Sequence, residues 1–183
     1  MNTVFEKFET QSILLRKIKL ADTPVLFDYW SDQEVARYMN IKPFVKLEQV
    51  QEMIKLLNHL AEQEQAFRWA IVRKKDKLVL GTCGFNNWDK VNCRAEIGYE
   101  LGQQFWSQGI MSEALTGLLA YGFERMELNR IQALVKPANH SSLRLLQKLG
   151  FKEEGVLRKY ERVKEQFVDL TMVALLKSES ISV

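Results

Sequence analysis

The chain has 183 residues, of which 46% are hydrophobic and 27% are charged, and its formal net charge is +3. This composition is typical of a globular protein, and the chain has no long polar or Pro-, Gly- and Ser-rich interruption, which predicts one domain over residues 1–183. No apolar run approaches the roughly 20 residues of a membrane span, and the first residues lack the basic-then-apolar order of a secretory signal. We therefore expect a cytoplasmic protein with no membrane partner.

The net positive charge is small, and basic side chains are evenly interleaved with acidic ones along the chain. This pattern gives no indication of a nucleic-acid partner, but it is compatible with a polyphosphate ligand. Potential metal ligands are few. Cys83 and Cys93 are far apart and have only His59 and His140 as histidine partners. We therefore expect neither a metal site nor a structural disulfide.

The first predicted elements are a strand over residues 12–18 and two helices. Asp22 can cap the first helix, and Pro24 falls in its first turn, where a missing N–H group costs nothing. The second helix is longer, and its apolar face is marked by Leu47, Val50, Ile54, Leu57 and Ala61.

A hairpin follows, because alternating apolar residues over 67–73 and an apolar run over 78–85 are separated by the charged turn 74–77. Residues 86–90 predict another turn, which leads into a strand over 95–101. In that strand Ile97, Tyr99 and Leu101 alternate with Glu96, Gly98 and Glu100. These three strands are expected to form an antiparallel meander.

The strand over 95–101 leads through a glycine-containing turn into a helical pattern. The apolar face of that helix is formed by Met111, Ala114, Leu115, Leu118, Gly122 and Met126. A helix that starts after such a turn directs free N–H groups and the positive end of its dipole at one point, which suits phosphate. Gly109 has no Cβ and would allow a close approach there. An ordinary strand-to-helix connection is the alternative interpretation.

Residues 130–136 alternate again, and because a helix connects them to the strand over 95–101, the two strands should pair in parallel. Asn139 or Ser141 can cap a further helix, which Gly150 ends. Residues 151–162 and 165–176 then predict an antiparallel hairpin.

Three blocks of the sequence together resemble one family. They are Glu96-Ile-Gly-Tyr-Glu-Leu, then Trp106-Ser-Gln-Gly-Ile-Met-Ser-Glu-Ala, then Asn139-His-Ser-Ser-Leu-Arg-Leu-Leu-Gln-Lys-Leu-Gly-Phe151. In this order they resemble the GNAT superfamily of N-acetyltransferases, in its RimJ/RimL-like branch. The resemblance covers nearly the whole chain. It implies an α+β fold: an approximately seven-stranded, mostly antiparallel sheet with a splayed parallel pair, and about four helices on both faces.

The resemblance implies that acetyl-CoA is the acetyl donor, bound where the two parallel strands separate. Backbone groups of Ile97, Gly98 and Tyr99 would face pantetheine and the thioester. The N–H groups of the turn would hold the pyrophosphate, at Gln108, Gly109, Ile110, Met111 and Ser112. Met111 departs from the pattern, where Gly or Ala is usual, and is expected to narrow the approach to the turn. Asn139 would hold the pantetheine arm, and Arg144 the 3′-phosphate, unless it lies on a solvated helix face.

Acyl transfer to an amine needs a base for the ammonium proton and a hydrogen-bond donor for the departing thiolate. Glu96 is the expected base, with Glu100 or water as alternatives. Ser142 matches the serine that this branch is thought to use at the thiolate, and it could instead only cap a helix.

The acceptor pocket is the least defined part of the expectation. Trp30, Tyr38, Phe44 and Trp88 are its candidate lining, although aromatic residues at such positions also build cores. The branch favours a protein N-terminal α-amine as acceptor, with ribosomal proteins as substrates. A small-molecule amine, such as an amino acid, polyamine or drug, and a non-catalytic acyl-CoA-binding regulatory module remain alternatives. We expect a monomer or a homodimer.

Overall fold

The computed structural model describes residues 5–39, 41–163 and 165–180. Within these residues, eight strands form one sheet. The strands are β1 (Phe8–Glu9), β2 (Ile13–Lys17), β3 (Phe67–Arg73), β4 (Val79–Asp89), β5 (Arg94–Leu101), β6 (Arg130–Val135), β7 (Lys152–Val163) and β8 (Gln166–Leu176). The α-helices are α1 (Thr23–Trp30), α2 (Gln33–Ala36), α3 (Leu47–Glu62), α4 (Ile110–Glu124) and α5 (His140–Lys148).

The strands lie in the order β1-β2-β3-β4-β5-β6-β8-β7. All neighbouring pairs are antiparallel except β5 and β6, which are parallel and joined through α4. The fold class, the meander β3–β4–β5 and the final hairpin β7–β8 are therefore confirmed.

Three details differ from the sequence-based expectation. The sheet has eight strands instead of about seven, because Phe8–Glu9 adds a two-residue strand at its edge. The additional helix Gln33–Ala36 has four residues. The expected turn at 86–90 is wrong, because β4 continues to Asp89, whose carboxylate accepts a hydrogen bond from the N–H of Asn92 at 3.0 Å. The shorter turn that follows is fixed by this bond.

Asp22 precedes α1 as expected, but its carboxylate does not cap that helix. It accepts hydrogen bonds from Arg16 Nη1 and Nη2, both at 2.7 Å, and from the N–H of Lys19 at 2.8 Å. Pro24 lies in the first turn of α1, as predicted. The buried aspartate thus links β2 to the segment before α1 instead of capping the N-terminus of that helix.

One face of the sheet packs against α4. The register places Phe67, Phe85 and Ile97 side by side on this face. A Cβ added at Gly122 of α4 would lie 2.7 Å from Cζ of Phe85, so the helix and the sheet are in close contact. α5 packs on the same face further along, since a Cβ at Gly150 would lie 3.5 Å from Cδ1 of Leu175.

The opposite face carries Arg68, Gly98 and Glu100, and it is covered by α1 and α3. Trp30 at the end of α1 donates from Nε1 to Oε1 of Glu100 at 3.0 Å. Helices therefore cover both faces of the sheet, and β5 lies between them at its centre.

Candidate active site

The parallel ladder between β5 and β6 is short. It ends at the pair Glu96 and Gln132, after three residue pairs. Further along, β5 pairs only with β4, and β6 pairs only with β8. The two strands therefore diverge from Ile97 and Ala133 onward, and the expected splayed pair is confirmed. We call the gap between them the β5–β6 opening.

The first turn of α4 lies beyond the C-terminal end of β5. Gly109 precedes the helix with φ of 78°, a left-handed conformation that favours glycine. The first bond of the helix runs from the N–H of Glu113 to the carbonyl of Gly109 at 3.0 Å. The N–H groups of Ile110, Met111 and Ser112 precede that bond and have no acceptor within the helix. With the helix dipole, they form an arrangement suited to a phosphate group.

The side chain of Met111 does not narrow the approach to this turn. It is 9% exposed and belongs to the hydrophobic core, because its position faces the sheet. The expectation that Met111 narrows the approach to the turn is therefore wrong, because its side chain packs in the core. Its N–H group remains at the turn. Gln108 is exposed, and its Nε2 donates to the carbonyl of Gln104 at 2.8 Å.

Glu96 and Glu100 lie on the same face of β5, but their environments differ. Glu100 is buried, and its carboxylate accepts hydrogen bonds from Trp30 and Thr82 and pairs with Arg68 at 3.0 Å. Glu96 is half-buried. Burial raises the pKa of Glu96 above its ordinary 4.5, and the negative charge of Glu161 raises it further. This geometry favours Glu96 over Glu100 as a group that can exchange a proton.

Ser142 reaches the β5–β6 opening from the first turn of α5. Its Oγ lies 2.7 Å from the hydroxyl oxygen of Tyr99 on β5. Its N–H donates to Oδ1 of Asn139 at 3.2 Å, so Asn139 caps α5 and Ser141 does not. Ser142 therefore contributes its backbone N–H to the helix cap, and its hydroxyl takes no part in capping. Arg144, two residues further along α5, is exposed.

The candidate acceptor residues are not all brought together. Trp30 is buried, and the ring of Phe44 packs against it at 5.8 Å between centroids. Tyr38 donates from its hydroxyl to the carbonyl of Ala138 at 3.3 Å and so reaches the connection between β6 and α5. Trp88 instead packs on Phe67 at 5.3 Å, on the α4 face of the sheet. It is separated from the other three, because the register of β4 shifts between Asn86 and Asp89.

Sequence reasoning missed two residues of this region. Arg68 on β3 donates from Nη1 to the carbonyl of Gly98 at 2.7 Å and pairs with Glu100. Its one signal was an arginine inside the strand, between apolar residues, whereas the other arginine, Arg73, ends the strand. Glu161 on β7 contributes negative charge at Glu96. No sequence pattern indicated it, since the hairpin that carries it is largely exposed and charged.

Neither a metal cluster nor a membrane helix is found in the described ranges. Between residues 5 and 180, leaving out 40 and 164, no group of three His, Cys, Asp or Glu side chains could hold a metal ion. In the same ranges, no helix has the length and apolar character needed to cross a bilayer.

Comparisons with known proteins agree with this architecture. The family profile described as "Acetyltransferase (GNAT) domain" matches residues 12–152. The chain is 48% identical over 174 residues to "Uncharacterized N-acetyltransferase p20" of Bacillus licheniformis, covering 95% of this chain and 98% of that protein. It is 31% identical over 126 residues to "[Ribosomal protein uS5]-alanine N-acetyltransferase" of Escherichia coli, covering 68% of this chain and 65% of that protein.

Among solved structures, the fold matches RimL, the ribosomal L7/L12 alpha-N-protein acetyltransferase, in complex with coenzyme A. The TM-score is 0.85 at 22% sequence identity, and the match covers 93% of this chain and 98% of that chain. At this identity the likeness concerns the fold. Taken with the family profile and the relatives, it leads to one conclusion: the chain belongs to the GNAT family and is an N-acetyltransferase.

Proposed function

We propose that this enzyme transfers acetyl from acetyl-CoA to the α-amine of a protein N-terminus. The observation that carries the donor half is the β5–β6 opening, where the ladder ends at Glu96 and Gln132 beside the first turn of α4. A relative 31% identical to the chain is named a ribosomal-protein alanine N-acetyltransferase, which supports the acceptor class. The fold neighbour RimL was solved with coenzyme A, which supports the donor. A ribosomal acceptor would place the enzyme in the cytoplasm.

On the donor side, pantetheine lies in the β5–β6 opening as a short additional strand. Its amides bond to those backbone groups of Ile97, Gly98 and Tyr99 that point away from β4 and that β6 leaves unpaired, other than the carbonyl of Gly98, which accepts from Arg68. The pyrophosphate is held by N–H groups from Gln108 to Ser112. Asn139 uses its Oδ1 for the cap of α5, so its amide nitrogen is the group that can bond to the pantetheine arm. The exposed guanidinium of Arg144 would then meet the 3′-phosphate.

On the acceptor side, Glu96 acts as the base. The amine arrives protonated at neutral pH, and the carboxylates of Glu96 and Glu161 attract its positive charge. A carboxyl with a raised pKa is a better proton acceptor than an ordinary one, because its pKa lies nearer to the working pH. Trp30, Tyr38 and Phe44 border the path by which the amine approaches. Ser142 provides a hydrogen bond to sulfur as the thiolate departs.

A direct assay tests the acceptor class. The enzyme is incubated with acetyl-CoA and either N-terminal peptides or small amines, including amino acids and polyamines, and free CoA is measured with a thiol reagent. Peptides that begin with the residues of ribosomal-protein N-termini should react fastest. Faster reaction with a small amine would replace the protein acceptor. Tight CoA binding without any transfer would instead indicate a regulatory module.

The phosphate site is tested by Gly109→Glu. Bulk and negative charge at the first turn of α4 should weaken CoA binding by at least about 10²-fold, because like charges repel strongly at close range. Calorimetric titration with CoA measures this. Gly155→Glu is the matched control, since Gly155 also has positive φ and free space at its Cβ position, and it lies on β7. Equal CoA affinity in the Gly109 variant and the parent would remove the cofactor assignment.

A further inference from the structure

The side chains of Tyr99 and Ser142 meet across the β5–β6 opening. Tyr99 is on β5 within the diverging part of the strand, and Ser142 is on α5, which follows β6. Their hydroxyl oxygens are 2.7 Å apart, and both side chains are half-buried. The two residues are 43 positions apart in the chain, so this contact is made by the fold. No role proposed so far uses the phenol group of Tyr99.

The chemistry of the two hydroxyls indicates which one donates. Burial raises the pKa of Tyr99 to about 12, although the hydrogen bond with Ser142 lowers it in part, so the phenol is protonated at neutral pH. A phenol is also a stronger hydrogen-bond donor than an aliphatic hydroxyl. When Tyr99 donates to Oγ of Ser142, the single proton of Ser142 is free to point elsewhere. Hydrogen bonds in such a chain polarise one another and strengthen the outer donor.

The backbone of Ser142 is fixed at the same time. Its N–H donates to Oδ1 of Asn139, which holds the first turn of α5 in place. With the backbone set by Asn139 and the oxygen set by Tyr99, the hydroxyl proton has few remaining directions. One of them is into the β5–β6 opening, where the proposed function places the thioester sulfur.

The geometry points to a positioning role for Tyr99: its phenol donates to Ser142 and orients the serine hydroxyl toward the departing sulfur. This inference rests on the proposed function. As the amine nitrogen bonds to the acetyl carbon, the C–S bond breaks and its electron pair remains on sulfur. The Ser142 hydroxyl bonds to that developing charge. Glu96 takes one proton from the ammonium group before the attack and a second from the nitrogen as the amide forms, and it releases each to solvent in turn. The free thiolate takes one proton from solvent, so neither hydroxyl is consumed.

The inference is tested without an acceptor by measuring the ionisation of bound CoA. In CoA labelled with ¹³C at the methylene beside sulfur, the chemical shift reports the thiol pKa. Tyr99→Phe should raise the pKa of the bound thiol by about half a unit to one unit, the equivalent of one lost hydrogen bond. Ser142→Ala should raise it by at least as much, and the double variant no further than Ser142→Ala alone.

Turnover provides the second readout. Tyr99→Phe should lower kcat by about three- to tenfold with the KM for acetyl-CoA unchanged, since the interaction strengthens only as charge develops. Tyr29→Phe is the matched control: its phenol also makes a buried hydrogen bond, to the carbonyl of Val79 at 2.8 Å, but outside the opening. Tyr29→Phe should lower the free energy of unfolding about as much as Tyr99→Phe does, and it should leave the pKa of the bound thiol and kcat unchanged.

Three results would overturn the inference. They are an unchanged thiol pKa in Tyr99→Phe, equal kcat losses in Tyr99→Phe and Tyr29→Phe, and effects of Tyr99→Phe and Ser142→Ala that multiply in the double variant. A parent enzyme that fails to bind CoA would instead overturn the proposed function and the inference together. Calorimetry on the parent separates that case from the others.

Discussion

The two halves of β5 carry one glutamate each on the same sheet face, and the comparison separates a structural carboxylate from a chemical one. Glu100, in the C-terminal half, is enclosed by Arg68, Trp30 and Thr82. Glu96, where the parallel ladder ends, is half-buried, and the neighbouring charge that acts on it is negative. Residue type, strand and sheet face are the same, so the partners decide which group stabilises the fold and which can take a proton.

The largest expected effect comes from removing the charge of Glu100. Glu100→Gln leaves the guanidinium of Arg68, whose side chain is only 15% exposed, without its counter-ion. Breaking one side of such a pair should lower the free energy of unfolding by about 3 kcal/mol. Urea denaturation measures this. Glu153→Gln, an exposed glutamate of β7, should change it by less than about 0.5 kcal/mol. Equal midpoints for Glu100→Gln and the parent would mean that Glu100 has no structural role.

The second effect concerns turnover. Glu96→Gln should lower kcat about 10²-fold and leave CoA affinity unchanged, because it removes the base and no cofactor contact. Burial raises the pKa of Glu96, so the folded state binds its proton more tightly than the unfolded state, and the ionised group costs stability as the pH rises through that pKa. Glu96→Gln should therefore be at least as stable as the parent at neutral pH. A kcat within threefold of the parent would assign the proton transfer to water.

The smallest expected effect concerns Glu161, the charged neighbour of Glu96, and the pH dependence of turnover. The acid limb of the kcat/KM profile should lie above the ordinary carboxyl range, because Glu96 must lose its proton to act as base. Glu161→Gln removes a negative charge that disfavours ionisation of Glu96, so the limb should move to lower pH. Glu153→Gln on the same strand should leave the limb in place. A limb unmoved by Glu161→Gln would show that the two carboxylates do not interact in solution.

Much of the fold could be predicted from periodicity, because period-two and helical patterns are local. The alternation of Ile97, Tyr99 and Leu101 predicted β5, and the apolar repeat from Leu47 to Ala61 predicted α3. β1 and α2, of two and four residues, are too short to carry a pattern. The position of Trp88 could not be predicted because a register shift changes which face a strand residue occupies.

The candidate site was only partly predictable for a different reason. Motifs identified Glu96, Gly109 and Ser142 because each lies in a contiguous block. The contacts that distinguish their roles connect distant residues: Arg68 reaches Glu100 across 32 positions and Tyr99 reaches Ser142 across 43. Such pairs depend on strand order and register, which are properties of the whole sheet. A single sequence contains no local signal for them.

The early end of the ladder between β5 and β6 has a consequence for the energetics of binding. A ligand that lies between these strands displaces no backbone hydrogen bonds between β5 and β6, because the ladder does not continue beyond Glu96 and Gln132. The separation was created during folding and is maintained by β4 on one side and β8 on the other. Such a preorganised groove leaves more of the intrinsic contact energy as net affinity, so the cofactor should associate without waiting for a slow conformational step.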